Sequence, residues 1–542
     1  MWLNKLRNSI TYHMKLLNFN LRLVVAACAF ILSLSMYSCD DHRMPPSGPS
    51  LPDRIFYALS DNNQLHEINI KNTGAPLRSF AVIGLEQGEM LKAIDFRPAT
   101  GQLYAIGSLH NLYQVNVKTG DQEGKATRIG TAPIAVALSG QVGFDFNPTV
   151  DRIRVVTSST QNLRLHPETG AIVPGDGALN GYANPMIGAV AYTNSRAGVT
   201  AAPAGVGTTL YDIDPSTDML YIQNPPNPGG LVPVGMLGLD IQEVGGFDIS
   251  PDVNAADVYP IVSVKFGDKW ELDFVDLATG KLQKLGDLPA NVNITGIAIP
   301  PLPVAYALTD NGMLKIFNPE NGMEYGTKTV STPGVALQGI DIRPANGRLY
   351  ALGDNSKIYG IDLGNGTATE LVSLKLADNT PVMLSGTYFG VDFNPAADRL
   401  RVVSNTGQSL RINVNDGVTI VDGSLKIGMG GPTPYVTAVA YTNSYPGVVA
   451  ANTSLFDIDS QTNTLYKQMP PNDGILVDPK SLGIDVAPGI GFDIGNVSGK
   501  GYAIFTVGSN TSFYAIDLAT GTTTHQFPYS GPVRGLAVGF GL

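Results

Sequence analysis

Six aspartates sit at one position of a recurring motif. Asp95, Asp145 and Asp248 each lie between two apolar residues, as in Phe144-Asp145-Phe146, and Asp341, Asp392 and Asp493 occupy the matching places later in the chain. Carboxylates brought to one point are what glycoside cleavage needs, one acid protonating the leaving oxygen and another acting as nucleophile or base. A sugar or lactone hydrolase is therefore one reading. The other is scaffold, with each Asp bonding backbone amides between neighbouring units or pairing with Arg97, Arg154, Arg343 or Arg401. Repetition in nearly every unit favours the scaffold, because ion-pair networks perturb carboxylates as readily as catalysis does.

Two further sets carry oxygen chemistry. Asp212, Asp214 and Asp218, matched by Asp457 and Asp459, cluster as a hard cation such as calcium would want, but the loop lacks the glycine and distal glutamate of a dedicated site. Capping of tight turns by Asp side chains accounts for the same pattern, so no metal is assigned. The polar loops holding Tyr192, Asn194, Asn224 and Asn227, with Tyr441, Asn443 and Asn472 in the second copy, are candidates for a ligand rim, against ordinary rigid-turn chemistry. His66, His110, His166 and His525 have no counterparts in the other copy, so no duplicated triad or histidine metal site exists. No cofactor is predicted.

The elements that must position these groups are repeats. Gly143-Phe-Asp-Phe-Asn-Pro and the following Asp-Arg-Ile-Arg-Val-Val156 return as Gly390-Val-Asp-Phe-Asn-Pro and Asp-Arg-Leu-Arg-Val-Val403, and residues 54–300, the first half, align with few gaps to 304–540 of the second half, 301–542. A shorter period lies inside each half: Gly339-Ile-Asp-Ile-Arg-Pro, Gly347-Arg-Leu-Tyr-Ala-Leu, Lys357-Ile-Tyr-Gly-Ile and Thr367-Ala-Thr-Glu-Leu-Val read as four alternating strands joined by tight turns. That is the grammar of one propeller blade. First strands begin near Ala93, Gly143, Ala189, Gly246 and Gly296, and again near Gly339, Gly390, Ala438, Gly491 and Gly535. The fold class is thus an all-β propeller of ten four-stranded blade units in two homologous halves of five.

Ring count is a separate question. Rings usually hold four to eight blades, which favours two rings of five. The short connector Pro300-Pro-Leu-Pro-Val304 favours one ring of ten. The balance falls slightly to two. The chain opens on a second strand (Arg54-Ile-Phe-Tyr-Ala-Leu) and closes on a first strand (Gly535-Leu-Ala-Val-Gly-Phe), so the two termini can share one blade and close a ring.

Composition supports export. Residues 1–38 carry four Lys and Arg and no acid before and within an apolar stretch, the pattern of a signal peptide, whose true start is read as Met14. Ser35-Met-Tyr-Ser-Cys39 resembles a loose lipobox, making Cys39 the expected lipidation site and residues 39–53 a lipidated tether; an ordinary signal peptide with an incidental cysteine is the alternative. The other cysteine, Cys28, lies in the apolar run, so the body has neither disulfide nor thiolate chemistry. Beyond residue 38, 31 basic side chains face 46 acidic ones, which argues against nucleic acid or anionic lipid as partner.

The Gly-Phe-Asp-Phe-Asn-Pro and Asp-Arg-Ile-Arg-Val-Val runs, with Gln161-Asn-Leu-Arg-Leu, Leu210-Tyr-Asp-Ile-Asp and Gln223-Asn-Pro-Pro-Asn227, resemble as a set the bacterial family catalogued as domain of unknown function 4394. The resemblance covers both halves. It implies a β-propeller and no particular activity. Three roles follow: a non-catalytic module of the cell envelope, outer-membrane anchored, that binds a glycan, peptide or protein; a hydrolase using the central carboxylates; or a structural envelope protein. The membrane is a partner through the lipid anchor only.

Overall fold

The computed structural model describes residues 51–542, so the segment read as a signal peptide, Cys39 and most of the expected tether lie outside the described residues. The described chain is built from ten antiparallel sheets, nine of four strands and one of five, the fifth being the short parallel strand Lys426–Ile427. The helical turns among the described residues are short 3-10 segments such as Ala255–Asp257 and Pro471–Asp473. No helix there is long and apolar enough to cross a membrane.

Each sheet presents one inner strand. In the first half these are Leu91–Phe96, Val142–Asn147, Ala189–Tyr192, Glu243–Ile249 and Ile294–Ala298. In the second they are Leu337–Ile342, Phe389–Asn394, Val436–Tyr441, Gly491–Ile494 and Val533–Val538. Within each half the inner strands pack in chain order and the last packs against the first.

The closing sheets correct one expectation. The chain termini do not share a blade: the opening strand Ile55–Ser60 pairs with Ile294–Ala298 of its own half, Tyr57 facing Ala298. The final strand Val533–Val538 pairs with Ala305–Thr309, Ala305 facing Val538. A single ring of ten would require these four strands to exchange partners. Each half instead supplies every strand of its own five sheets, so closing within the half pairs the inner edges without help from the other.

Close approach at the axis explains the glycines that open the inner strands. A Cβ on Gly246 would stand 2.4 Å from the Ile297 backbone nitrogen, and one on Gly390 2.7 Å from that of Val439. Apolar side chains fill the spaces between sheets, and the two halves repeat even the ring contacts: Tyr104 meets Phe146 edge-on at 5.1 Å, and Tyr350 meets Phe393 at 5.2 Å.

The halves are joined by polar contacts among turns. The Tyr306 hydroxyl donates to the Ala99 carbonyl at 2.7 Å and the Phe540 N–H to the Thr100 carbonyl at 2.7 Å. Arg152 reaches Asp362 at 2.8 Å, and Arg348 approaches Glu168 at 3.4 Å.

Candidate functional site

The inner strands bring the six predicted aspartates together as two groups of three. One ligating atom from each of Asp95, Asp145 and Asp248 lies within 4.8 Å of the others, and the same holds for Asp341, Asp392 and Asp493. All six are buried, between 1% and 7% exposed. Most of their oxygens are engaged by backbone. Asp95 accepts the Phe96 N–H at 2.7 Å and the Phe146 N–H of the next sheet at 2.8 Å. Asp248 accepts those of Ile249 and Ile299, both at 2.6 Å. Asp341 and Asp493 repeat the pattern with Ile342 and Phe393, and with Ile494 and Val538. Each such carboxylate clamps one blade to its neighbour.

Asp392, whose own following amide is taken by Asp341, accepts the Tyr441 N–H at 3.1 Å instead, whereas the Phe146 N–H that would serve Asp145 is taken by Asp95 and no such substitute reaches both oxygens of Asp145. Its Oδ1 is buried without a donor. Burial first, then the neighbouring carboxylates Asp95 and Asp248, hold the Asp145 carboxyl well above the usual range. Burial raises Asp248 and Asp493 to about 7. The expected arginine partners lie elsewhere. Arg97 pairs with Asp151 and Arg343 with Asp398, since both guanidinium groups lie at the turn following the inner strand and reach the next blade's turn.

Arg154 and Arg401 organise the predicted ligand rim. Arg154 is 1% exposed and donates to the Tyr192 hydroxyl at 3.2 Å, Asn162 Oδ1 at 2.7 Å and Asn227 Oδ1 at 2.8 Å. Arg401 does the same with Tyr441 at 3.4 Å, Ser409 at 2.9 Å and Asn472 at 3.1 Å. Tyr192 and Tyr441 are therefore buried anchors for a guanidinium. Asn194 caps its own loop through the Gly207 carbonyl at 2.9 Å, and Asn224 is exposed.

The calcium candidates separate. Asp214 accepts Met186 and Ser216 N–H at 2.7 Å, Asp218 the Ile241 N–H at 3.0 Å, and Asp459 the Gln461 N–H at 2.9 Å. Asp214 and Asp459 cap their own turns, and Asp218 holds a separate loop. Asp212 and Asp457 face the interior beside Arg154 and Arg401, with neither oxygen receiving a hydrogen bond. Burial lifts Asp457 to about 8, Arg401 opposing.

A cavity of about 360 Å³ opens where the two halves meet. It lies among the turns around Gln102 and Lys118 of the first half, the connector 300–304, and Tyr445, Asn496 and Phe540 of the second. Its floor is polar: Gln102 and Gln114 exchange side-chain hydrogen bonds, and Gln114 donates to the Tyr104 hydroxyl at 3.0 Å. To one side, Arg78 binds Glu67 at 2.6 Å and also Glu123, so its charge is compensated. Lys118 has no carboxylate partner among the described residues. It donates to Asn443 Oδ1 at 3.0 Å and to the Asn496 carbonyl, and its ammonium lies 5.7 Å from the Tyr445 ring centre. Burial pulls its pKa down. Asn496 is 6% exposed and its Oδ1 has no donor.

Of these residues only Asn443 belongs to the predicted set. A signal was present nonetheless, as departures from the repeat: Gln114 stands where the second half has Gly360, Lys118 where it has Gly364, Tyr445 where the first half has Arg196, and Asn496 where it has Pro251.

No curated protein matches the chain. Among solved structures, a protein of Lactobacillus plantarum is similar at 15% identity over 63% of this chain and 97% of its own, with a TM-score of 0.26. The model of one family, described as a domain of unknown function, DUF4394, matches residues 57–298 and again 306–537, and the chain belongs to that family as two tandem copies.

Proposed function

We propose that the protein is a non-catalytic binding module of the cell envelope, exported and lipid-anchored at Cys39, whose ligand is received in the cavity between its two halves. One observation carries this reading. The cavity's polar lining, Gln102, Gln114, Lys118 and Asn496, is present in one half and replaced in the other, whereas the scaffold residues are duplicated. A cavity of this size suits a small molecule or a short piece of a glycan or peptide. Amide side chains, an ammonium and a tyrosine ring offer hydrogen bonds and a flat face to such a ligand. The hydrolase alternative lacks comparable support, because the six axial carboxylates are at most 7% exposed and mostly hold backbone amides. A screen of glycans, short peptides and metabolites by thermal shift on the full chain tests the proposal. A hit is expected to lose at least tenfold in affinity in Lys118→Ala, with melting in the absence of ligand little changed, and in Gln114→Gly, the second half's own choice at that position, which also lowers melting because it strips a buried strand position of its bonds to Gln102 and Tyr104. Ligands whose binding ignores both substitutions would place the site elsewhere.

A further inference from the structure

The axial aspartates pose a charge problem that the backbone bonds do not solve. Three carboxylates within 4.8 Å of one another, all buried, repel one another strongly as anions. No lysine or arginine among the described residues forms an ion pair with any of the six; Arg54, the cation that acts on Asp248, is bound to Asp252 at 2.6 Å. Neutralisation must come from protons or from a cation that the protein takes up.

We infer that each half holds one hard divalent cation on its axis, ligated by Asp95, Asp145 and Asp248 in the first half and by Asp341, Asp392 and Asp493 in the second. The spread of the ligating atoms, within 4.8 Å, is what two metal–oxygen bonds of roughly 2.4 Å can bridge. Asp145 supplies the second observation. Its side chain is 1% exposed and part of the group, yet its Oδ1 receives no hydrogen bond, so an acceptor is held in the interior with nothing to accept. Asp95, Asp248, Asp341 and Asp493 receive backbone N–H donors on both oxygens, which fix their orientation and leave a lone pair free for a metal, and Asp392 receives one on Oδ1 from Tyr441.

Clamping of blades alone does not explain the pattern. The same inner-strand position is Ala191 and Ala298 in the first half and Ala440 and Ala537 in the second, so two blades of each half close without a carboxylate there. Three acids per half, in the same order in both copies, is a set that a single cation can satisfy. With one divalent ion per group, a single retained proton completes the charge balance. The inference is independent of the cavity between the halves.

The test uses the full chain. Metal content of protein purified without chelator, measured by plasma mass spectrometry, is expected to show close to two calcium or magnesium ions per chain. After exhaustive treatment with EDTA, addition of millimolar calcium or magnesium at pH 8 is expected to raise the melting temperature. Asp145→Asn, which keeps the shape, is expected to bind one ion per chain, and the Asp145→Asn/Asp392→Asn double variant none. Native protein that contains no divalent metal, and whose melting does not respond to either ion, would assign the neutralisation to shared protons and overturn the inference. So would ion binding undiminished in the double variant. Should the variants fail to fold, the wild-type metal content and melting response still decide.

Discussion

Arg97 of the first half donates a 2.8 Å hydrogen bond to the Gly347 carbonyl of the second, while its other nitrogens hold Asp151 and Glu168. One fully buried guanidinium thereby ties two blades together and the two halves to each other. Its counterpart Arg343 keeps the in-half partner, Asp398, but gives its remaining donors to Tyr350 and Asn415, within its own half. Duplication preserved the clamp, and the junction of the halves used one copy of it a second time.

Arg97→Ala is therefore expected to destabilise the protein by about 3 kcal/mol or more, the cost of leaving buried acids unpaired. Arg343→Ala should cost less, because Asp398 is 38% exposed and water can replace the lost partner. Urea unfolding of the two variants side by side measures the difference; equal losses would count against Arg97 as the junction's tie.

The axial glycines make a steric prediction. Gly246→Ala would place a methyl group 2.4 Å from the Ile297 nitrogen, backbone that cannot yield, and should cost at least 1–3 kcal/mol. Gly74→Ala, whose nearest neighbour would be 3.6 Å away, should change stability by less than about 1 kcal/mol. Thermal melting of both variants checks the contrast.

Asp457 gives a pH dependence with a definite sign. Its carboxyl is raised from 3.8 to about 8 by burial, so between these values the unfolded chain binds fewer protons than the folded one. Stability from this group is full below about pH 4 and is lost as pH rises toward 8. Asp457→Asn should flatten the decline of stability over that window, by an amount on the order of a few kcal/mol at pH 8, and with it the decline of melting temperature. Melting curves of wild type and variant from pH 5 to pH 8 test it; parallel curves would mean that Asp457 is not held protonated.

Anchoring is testable apart from the fold. Labelling with a fatty-acid analogue should mark the wild-type protein and not Cys39→Ala, which should leave the membrane fraction. Labelling that persists in the variant would remove Cys39 as the lipidation site.

Much of the scaffold was legible because it is periodic. Starts read near Ala93, Gly143, Ala189, Gly246 and Gly296 fall in strands beginning at Leu91, Val142, Ala189, Glu243 and Ile294. Alternating apolar residues and tight turns are local signals and survive without knowledge of the fold. That Tyr192 and Asn227 both meet the buried Arg154 was not legible, for the opposite reason. Polar residues beside Pro-rich turns look alike whether they face solvent or a buried arginine, and Arg154 is distant from them in sequence.

By itself the sequence determined the duplication, the blade grammar and the identity of the aspartates that gather on the axes, because repetition and strand period are written along the chain. Tertiary structure decided which strands close each half, and so which ends do not meet. It also decided that three carboxylates share one buried place, and that Lys118 and Asn496, 378 positions apart, face one cavity. These are relations between distant segments, set by how twisted sheets close and by which turns two packed halves present to each other. No local pattern encodes them.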